Sequence, residues 1–297
     1  MKKFIWIILT IISLPSCEKI IPFENEIGSP KIVVNSIFST DSMWKIHLSY
    51  SKSVIDSSEF NNIENAEIKI VDSNDNLITN FHYINNGFYE SNLFPKTNKK
   101  YFLNVISDNY ILKSFDKVPK ETIITGIDTL SFIQDSKERI KISLAFVDPE
   151  NENNYYKLAV KTKKTVINYD HENNYLDSSV KENWIKLFKE SDILEKTMEN
   201  SELIFNDLTF NGKNFSIEFS IKDLIKKFNR DDSILLNSIN VYFFNISESL
   251  YNYHKSIKIY DNTNEIPLIQ PVQVFSNIEN GYGIFAGANT NIINIYD

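Results

Sequence analysis

Residues 44–50 alternate without interruption: Trp44, Ile46, Leu48 and Tyr50 fall on one side, Lys45, His47 and Ser49 on the other. A period of two is what a strand with one buried face requires, whereas a helix would scatter the same apolar side chains around its axis. The pattern recurs at residues 32–38, 66–71, 77–83, 88–91, 100–107 and 110–115. Turn clusters separate these runs: Asp72-Ser73-Asn74-Asp75-Asn76, Asn85-Asn86-Gly87 and Asp108-Asn109. Short alternating segments joined by such turns predict an immunoglobulin-like β-sandwich over residues 31–120. It lacks the disulfide, because the chain has one Cys. Val118-Pro119-Lys120 closes this half, since Pro cannot continue a ladder.

The second half, residues 121–297, repeats the strand signal at 123–133, 139–147, 155–167 and 234–246. Residues 168–179 are polar and read as a loop. Over 181–200, Trp184, Leu187, Phe188, Leu194 and Met198 fall near helical spacing and predict a helical insertion. Phe210-Asn211-Gly212-Lys213 lies between apolar runs at 203–209 and 214–220, and Asn-Gly predicts a hairpin. Ser247-Glu248 reads as a helix start, with Leu250, Tyr253, His254 and Ile257 on its buried stripe. Residues 272–275, 283–286 and 292–296 return to strand. The whole is therefore expected to be mainly β: an N-terminal immunoglobulin-like β-sandwich, then a larger β-sandwich or open barrel with two or three packed helices. Composition agrees, with 44 Ile, 21 Phe and 15 Tyr to favour strands and 37 Asn to favour turns.

Several function classes fall away. A formal charge of −8 argues against nucleic acid. A single Cys excludes a multi-Cys metal or iron–sulfur site. The seven Gly include none at phosphate-loop spacing.

The N-terminus gives an address. Lys2 and Lys3 precede an apolar run from Phe4 to Ile12, which as a helix spans about 14 Å, too short for a ~30 Å hydrocarbon core. Residues 1–16 are thus expected to be a signal peptide. The run ends in Leu14-Pro15-Ser16-Cys17, which resembles a bacterial lipobox, Pro15 departing from its usual small residue. That resemblance implies cleavage before Cys17 and acylation of Cys17, whose lipid then anchors the protein in the membrane. More than one acyl chain holds a protein stably, and an acidic chain gains no help from an anionic surface. Residues 17–30, ending in Gly28-Ser29-Pro30, read as a tether. Only Glu18 is acidic close to the Cys, so sequence leaves the membrane face open.

Chemistry is sparse. His47, His82, His171 and His254 include no pair at zinc-helix spacing. His47 and His82 read as structural or exposed strand residues, His171 as a loop residue, and His254 as a hydrogen-bonded core histidine. Asp72, Asn74 and Asn76 copy the first three ligand positions of a calcium loop, but Leu77 and Tyr83 stand where its Gly and Glu are needed, so a hairpin turn fits better. Asp148-Pro149-Glu150-Asn151-Glu152-Asn153-Asn154 gathers oxygen ligands suited to weak Ca²⁺ binding, and equally suits a solvated turn. No Gly-x-Ser-x-Gly elbow occurs, and a lipidated Cys17 is no nucleophile. The triplets Asp41-Ser42-Met43, Asp128-Thr129-Leu130 and Asp232-Ser233-Ile234 weakly resemble bacterial O-glycosylation acceptors.

Longer motifs run through the chain: Ile32-Val33-Val34-Asn35, Asn65-Ala66-Glu67-Ile68-Lys69-Ile70, Gly87-Phe88-Tyr89, Asp148-Pro149, Asn154-Tyr155-Tyr156-Lys157-Leu158 and Phe210-Asn211-Gly212-Lys213. They continue as Ile246-Ser247-Glu248-Ser249-Leu250-Tyr251-Asn252-Tyr253, Pro271-Val272 and Asn280-Gly281-Tyr282-Gly283-Ile284-Phe285-Ala286-Gly287. With Cys17 at the head, this set resembles the Bacteroidota-type lipoprotein family known as domain of unknown function 4249. Tyr282 and His254 depart from its pattern. The resemblance implies an outer-membrane lipoprotein, often encoded beside TonB-dependent receptors. The expected function is a non-enzymatic accessory or binding partner of such a receptor. The alternatives are a free-standing glycan- or protein-binding adhesin, with Trp184 the residue to test, and an enzyme using dispersed carboxylates. No catalytic, metal or cofactor residue is assigned.

Overall fold

The computed structural model describes residues 29–53, 56–170, 172, 174–189, 201–225, 233–264 and 272–296. The leader, Cys17, most of the tether, His171, Leu194, Met198 and Pro271 lie outside the described residues.

The first half forms β1 (Ile32–Phe38), β2 (Trp44–Tyr50), β3 (Glu67–Val71), β4 (Leu77–Asn80), β5 (His82–Asn85), β6 (Phe88–Ser91), β7 (Lys100–Ser107) and β8 (Tyr110–Lys117). The second half forms β9 (Ile123–Gln134), β10 (Lys137–Val147), β11 (Tyr155–Tyr169), β12 (Tyr175–Trp184), β13 (Phe188–Lys189), β14 (Glu202–Asn206), β15 (Asn214–Lys222) and β16 (Ile234–Ile246). Helix α1 (Glu248–Asn264) and β17 (Tyr282–Tyr296) complete it.

The protein is mainly β, as expected, and opens with an immunoglobulin-like sandwich. One sheet runs β4-β3-β7-β8, and the other carries β5-β6-β2-β1. Inward residues of both, including Val34, Trp44, Ile46, Ile70, Tyr101 and Val105, make one buried core. Trp44 anchors it, stacked on Phe285 at 5.8 Å and edge-on to Tyr101 at 4.8 Å. The strand expected at 77–83 is two, because the chain changes sheets at Phe81: β4 pairs with β3, and β5 with β6.

The second half is a sandwich and not a closed barrel. The sheet β13-β15-β10-β9 packs through Ile142, Leu144, Phe146, Ile217 and Phe219 on Tyr156, Leu158, Val241 and Phe243 of β11 and β16. The two halves share β17. Its first part runs parallel to β1, from Tyr282 beside Val33 to Gly287 beside Phe38. Its second part runs antiparallel to β16, from Ala288 beside Ile246 to Tyr296 beside Ile239. A nine-stranded sheet therefore passes from one core to the other. A polar seam backs this junction, with Asn245 Oδ1 accepting from Thr122 N at 3.2 Å and Asn291 Nδ2 donating to Thr122 O at 3.1 Å.

Four expectations are corrected. Residues 175–184 form a strand laddered on β11 from Tyr175 to Trp184. The helical reading fails there because its apolar residues do not share a face: Trp184 is exposed while Leu187 is fully buried. Asn211-Gly212 does not close a hairpin, since β14 pairs with β11 and β15 with β10, so the turn moves the chain between sheets. Residues 283–286 and 292–296 belong to one continuous strand, and 272–275 is not a strand. Finally, α1 is the one long helix among the described residues, where two or three were expected.

Candidate functional site

A groove of about 820 Å³ opens on the face of the first-half sheet that points away from its core. Its floor follows from register. Tyr282, Val33 and Ser49 form one row across β17, β1 and β2, and Asn35, His47 and Phe88 form the next across β1, β2 and β6. These are the positions that alternate with the buried Ile32, Val34, Ile46 and Leu48. The His47 ring lies 4.6 Å from Phe88, and its Nε2 is 3.2 Å from Asn62 Oδ1.

The walls are fastened to the sheet and the helix. The segment carrying Phe60 and Asn62 is held on β2, with Ile63 N donating to Leu48 O at 3.1 Å and Tyr50 N to Asn61 O at 2.8 Å. Opposite, α1 begins as expected at Ser247, whose Oγ accepts from Leu250 N at 3.3 Å. Leu250 and Tyr251 bury its stripe against Ile284, Ala286 and Ala288 of β17. That packing sets Tyr253 on the groove. Ser256 Oγ then accepts from Phe275 N at 2.8 Å and pins residues 273–276 as the remaining wall.

Val33, Phe60, Phe88, Tyr253, Val274, Phe275 and Tyr282 supply apolar surface, and Asn35, Asn62, Asn86, Gln273, Ser49 and Ser276 supply neutral polar groups. In a chain 24% charged, this lining contains no Asp, Glu, Lys or Arg among the described residues. The side chains of Asn35, Asn86 and Gln273 make no hydrogen bond among the described residues. Two neighbouring cations lie on aromatic rings: Lys31 Nζ is 4.8 Å from the Tyr282 centroid and Lys52 Nζ 4.9 Å from that of Phe60.

Of the residues singled out in the sequence, the described lining of the groove collects His47 from the histidines and Val33, Asn35, Phe88, Tyr253, Tyr282 and Gly283 from the longer motifs. His82 is exposed on β5. His254 is on the stripe of α1, but its Nε2 is buried without a hydrogen-bond partner among the described residues. Trp184 stands apart from the groove, half-exposed at the end of β12 and edge-on to Tyr242 at 5.0 Å. A clue in sequence was Phe88-Tyr89, adjacent aromatics that a strand must place on opposite faces, so that one ring is left outside the core.

The two acidic loops are structural. Asp72 Oδ1 accepts from Asn74 N at 2.8 Å and Asn76 N at 3.0 Å, closing the β3–β4 turn. Asp148 receives the Tyr156 hydroxyl and, at 2.8 Å, Gly212 N, while Asp207 Oδ2 receives Asn154 N at 2.8 Å and Asn211 Nδ2 at 3.0 Å. The Asp148-Pro149, Asn154-Tyr155-Tyr156 and Phe210-Asn211-Gly212 motifs thus interlock. No group of three His, Cys, Asp or Glu is arranged to hold a metal among the described residues.

The Asn280–Gly287 motif is a joint as well. Asn277 Nδ2 donates to Phe285 O at 2.7 Å and its Oδ1 accepts from Phe285 N at 3.0 Å. A Cβ on Gly281 would lie 2.7 Å from the backbone oxygen of Ile32, so the turn needs a residue without one.

Two β-sandwich cores sharing a strand, with an open groove outside the first, define an immunoglobulin-like, mainly β protein. The chain belongs to the family described as domain of unknown function (DUF4249), whose model matches residues 18–292. No curated protein sequence matches it. Among solved structures, bovine butyrophilin is similar over 73% of this chain and 92% of its own, with 8% identity and a TM-score of 0.23. The C-terminal globular domain of an oligosaccharyltransferase from Pyrococcus abyssi is similar over 71% of this chain and 44% of its own, at 11% identity and a TM-score of 0.21. The Enterococcus faecalis MSCRAMM ACE is similar over 88% of this chain and 98% of its own, at 8% identity and a TM-score of 0.20.

Proposed function

We propose that the protein is an outer-membrane lipoprotein anchored through Cys17, and that it serves as a non-enzymatic binding partner of a TonB-dependent transport receptor. The observation that carries the binding role is the groove: preformed, walled by pinned segments, and of a size within the ~300–1,000 Å³ usual for ligand sites. Among the described residues its lining has no carboxylate pair and no nucleophile–base pair, which suits holding a molecule better than transforming one. The lipobox-like Leu14-Pro15-Ser16-Cys17 supports the anchor. A free-standing adhesin is the second reading, favoured by the exposed rings of Tyr175 and Trp184 on β12, away from the groove.

Cross-linking of tagged protein in intact cells, followed by affinity capture and mass spectrometry, separates the two. A TonB-dependent receptor recovered in near-equal amount is expected; recovery of the lipoprotein alone would favour the adhesin. Cys17→Ala in the same cells should move the protein out of the membrane fraction.

A further inference from the structure

We infer that the groove binds a neutral oligosaccharide, a ligand class that deepens, and rests on, the binding role proposed above. Three features of the lining converge on it. Phe60, Phe88 and Tyr282 are 65%, 44% and 38% exposed. Lys52 and Lys31 occupy one face of Phe60 and Tyr282, and the exposed remainder of these rings, with that of Phe88, is apolar surface that can meet the C–H face of a sugar ring. Next, the amides of Asn35, Asn86 and Gln273 are uncommitted among the described residues. Each carries both a donor and an acceptor, which matches the hydroxyl groups along a sugar's edge.

The third feature is the missing charge. A charged ligand would surrender hydration here without a counter-charge among the described residues of the lining. A wholly apolar ligand would cover the amides of Asn35 and Gln273 and leave them unpaired. A ligand with C–H faces and hydroxyl edges meets both constraints. Lys31 and Lys52 keep their charge against one face of Tyr282 and Phe60 respectively, but neither side chain belongs to the described lining, and the acidic comparator below tests whether they draw an anion. The volume of about 820 Å³ suits a short chain of sugars rather than a single one.

The test is calorimetric titration of the full lipidated protein, held in a detergent without a sugar headgroup. The probes are maltotetraose, cellotetraose, xylotetraose and chitotetraose, with tetragalacturonate as the acidic comparator. Saturable binding of at least one neutral tetrasaccharide is expected, with tetragalacturonate weaker or silent. Phe60→Ala and Phe88→Ala should each weaken that binding by up to about tenfold. Both rings lie outside the core, so the thermal midpoints of the variants should stay near the parent's. Failure of all four neutral probes, preference for tetragalacturonate, or binding untouched by both substitutions would overturn the inference. The receptor takes no part in this assay. A failed titration alongside successful receptor capture therefore sinks the sugar and spares the partnership, and the reverse result does the opposite.

Discussion

Asp116 Oδ2 accepts a hydrogen bond of 2.5 Å from Ser247 Oγ, the same hydroxyl that caps α1. Gly287 N donates to that carboxylate oxygen at 3.3 Å. One buried carboxylate thereby ties the last strand of the first sandwich to the helix and to the shared strand β17. The strand β8 comes from a part of the chain far from α1 and β17, and the groove's wall depends on their agreement.

That carboxylate and His254 should oppose each other as pH changes. Burial pushes Asp116 up to about 6, against the pull of its hydrogen bonds. Burial, helped by the Lys157 charge, pushes His254 down to about 4. The folded state holds the Asp116 proton more tightly, so this contribution is lost as pH rises from the ordinary carboxylate value through about 6. The folded state resists protonating His254, so that contribution is lost as pH falls from about 6.5 through about 4. Each is worth roughly 3 kcal/mol, and the windows overlap. Urea unfolding should therefore find the parent nearly level between about pH 4 and about pH 6.5. Asp116→Asn should make stability climb with pH, and His254→Phe should make it fall. Parallel slopes in all three proteins would refute the assignment.

Two glycines of β17 should tolerate no side chain. A Cβ on Gly283 would lie 2.0 Å from Val34 O, at a φ of +105°, and one on Gly287 would lie 2.1 Å from Lys117 O. Both obstacles are backbone in paired strands, which cannot step aside as a flexible side chain can. Gly283→Ala and Gly287→Ala should each cost more than about 3 kcal/mol or abolish folding. Gly126→Ala is the control: nothing lies within 4 Å of its Cβ position on β9, and it should gain up to about 1 kcal/mol. Thermal unfolding of the three proteins compares them directly.

The interlocked acidic motifs make a further case. Tyr156→Phe removes the hydroxyl that Asp148 receives and leaves that carboxylate with Gly212 N. A loss of about 1–3 kcal/mol is expected, the usual cost of leaving a buried acceptor short of a donor. Because Asp148, Asp207 and Asn154 are already occupied with one another's loops, added Ca²⁺ or a chelator should leave the parent's melting temperature unchanged. A rise with Ca²⁺ would return residues 148–154 to the list of metal sites.

How much of this was legible in the sequence depends on the range of the contacts. Residues 234–246 announced a strand and became β16 without adjustment, because their alternation is local. Ser247 announced a helix cap for the same reason. The unity of β17 was hidden, since half of it is held by β1 at the opposite end of the chain and half by β16, and no local period records such pairing. The groove was hidden too. Asn35, His47, Phe88 and Tyr282 each read as ordinary outward positions, and only the register across four strands sets them side by side.

Trp184 offers a direct check on the largest misreading. A helix over 181–200 would have placed it with Leu187 and Phe188 on one buried stripe, whereas on β12 it is 51% exposed. Trp44 is its opposite, 1% exposed with its Nε1 donating to Ser36 Oγ at 3.3 Å. In protein cleaved before Cys17 these two are the tryptophans that remain, because Trp6 leaves with the leader. Iodide should then quench one component of the emission, the red-shifted one, and spare the other. Trp184→Phe should remove the quenchable component and leave a blue-shifted spectrum from Trp44 alone. If the parent resists iodide altogether, Trp184 is covered, and residues 175–184 do not form the exposed edge of the nine-stranded sheet.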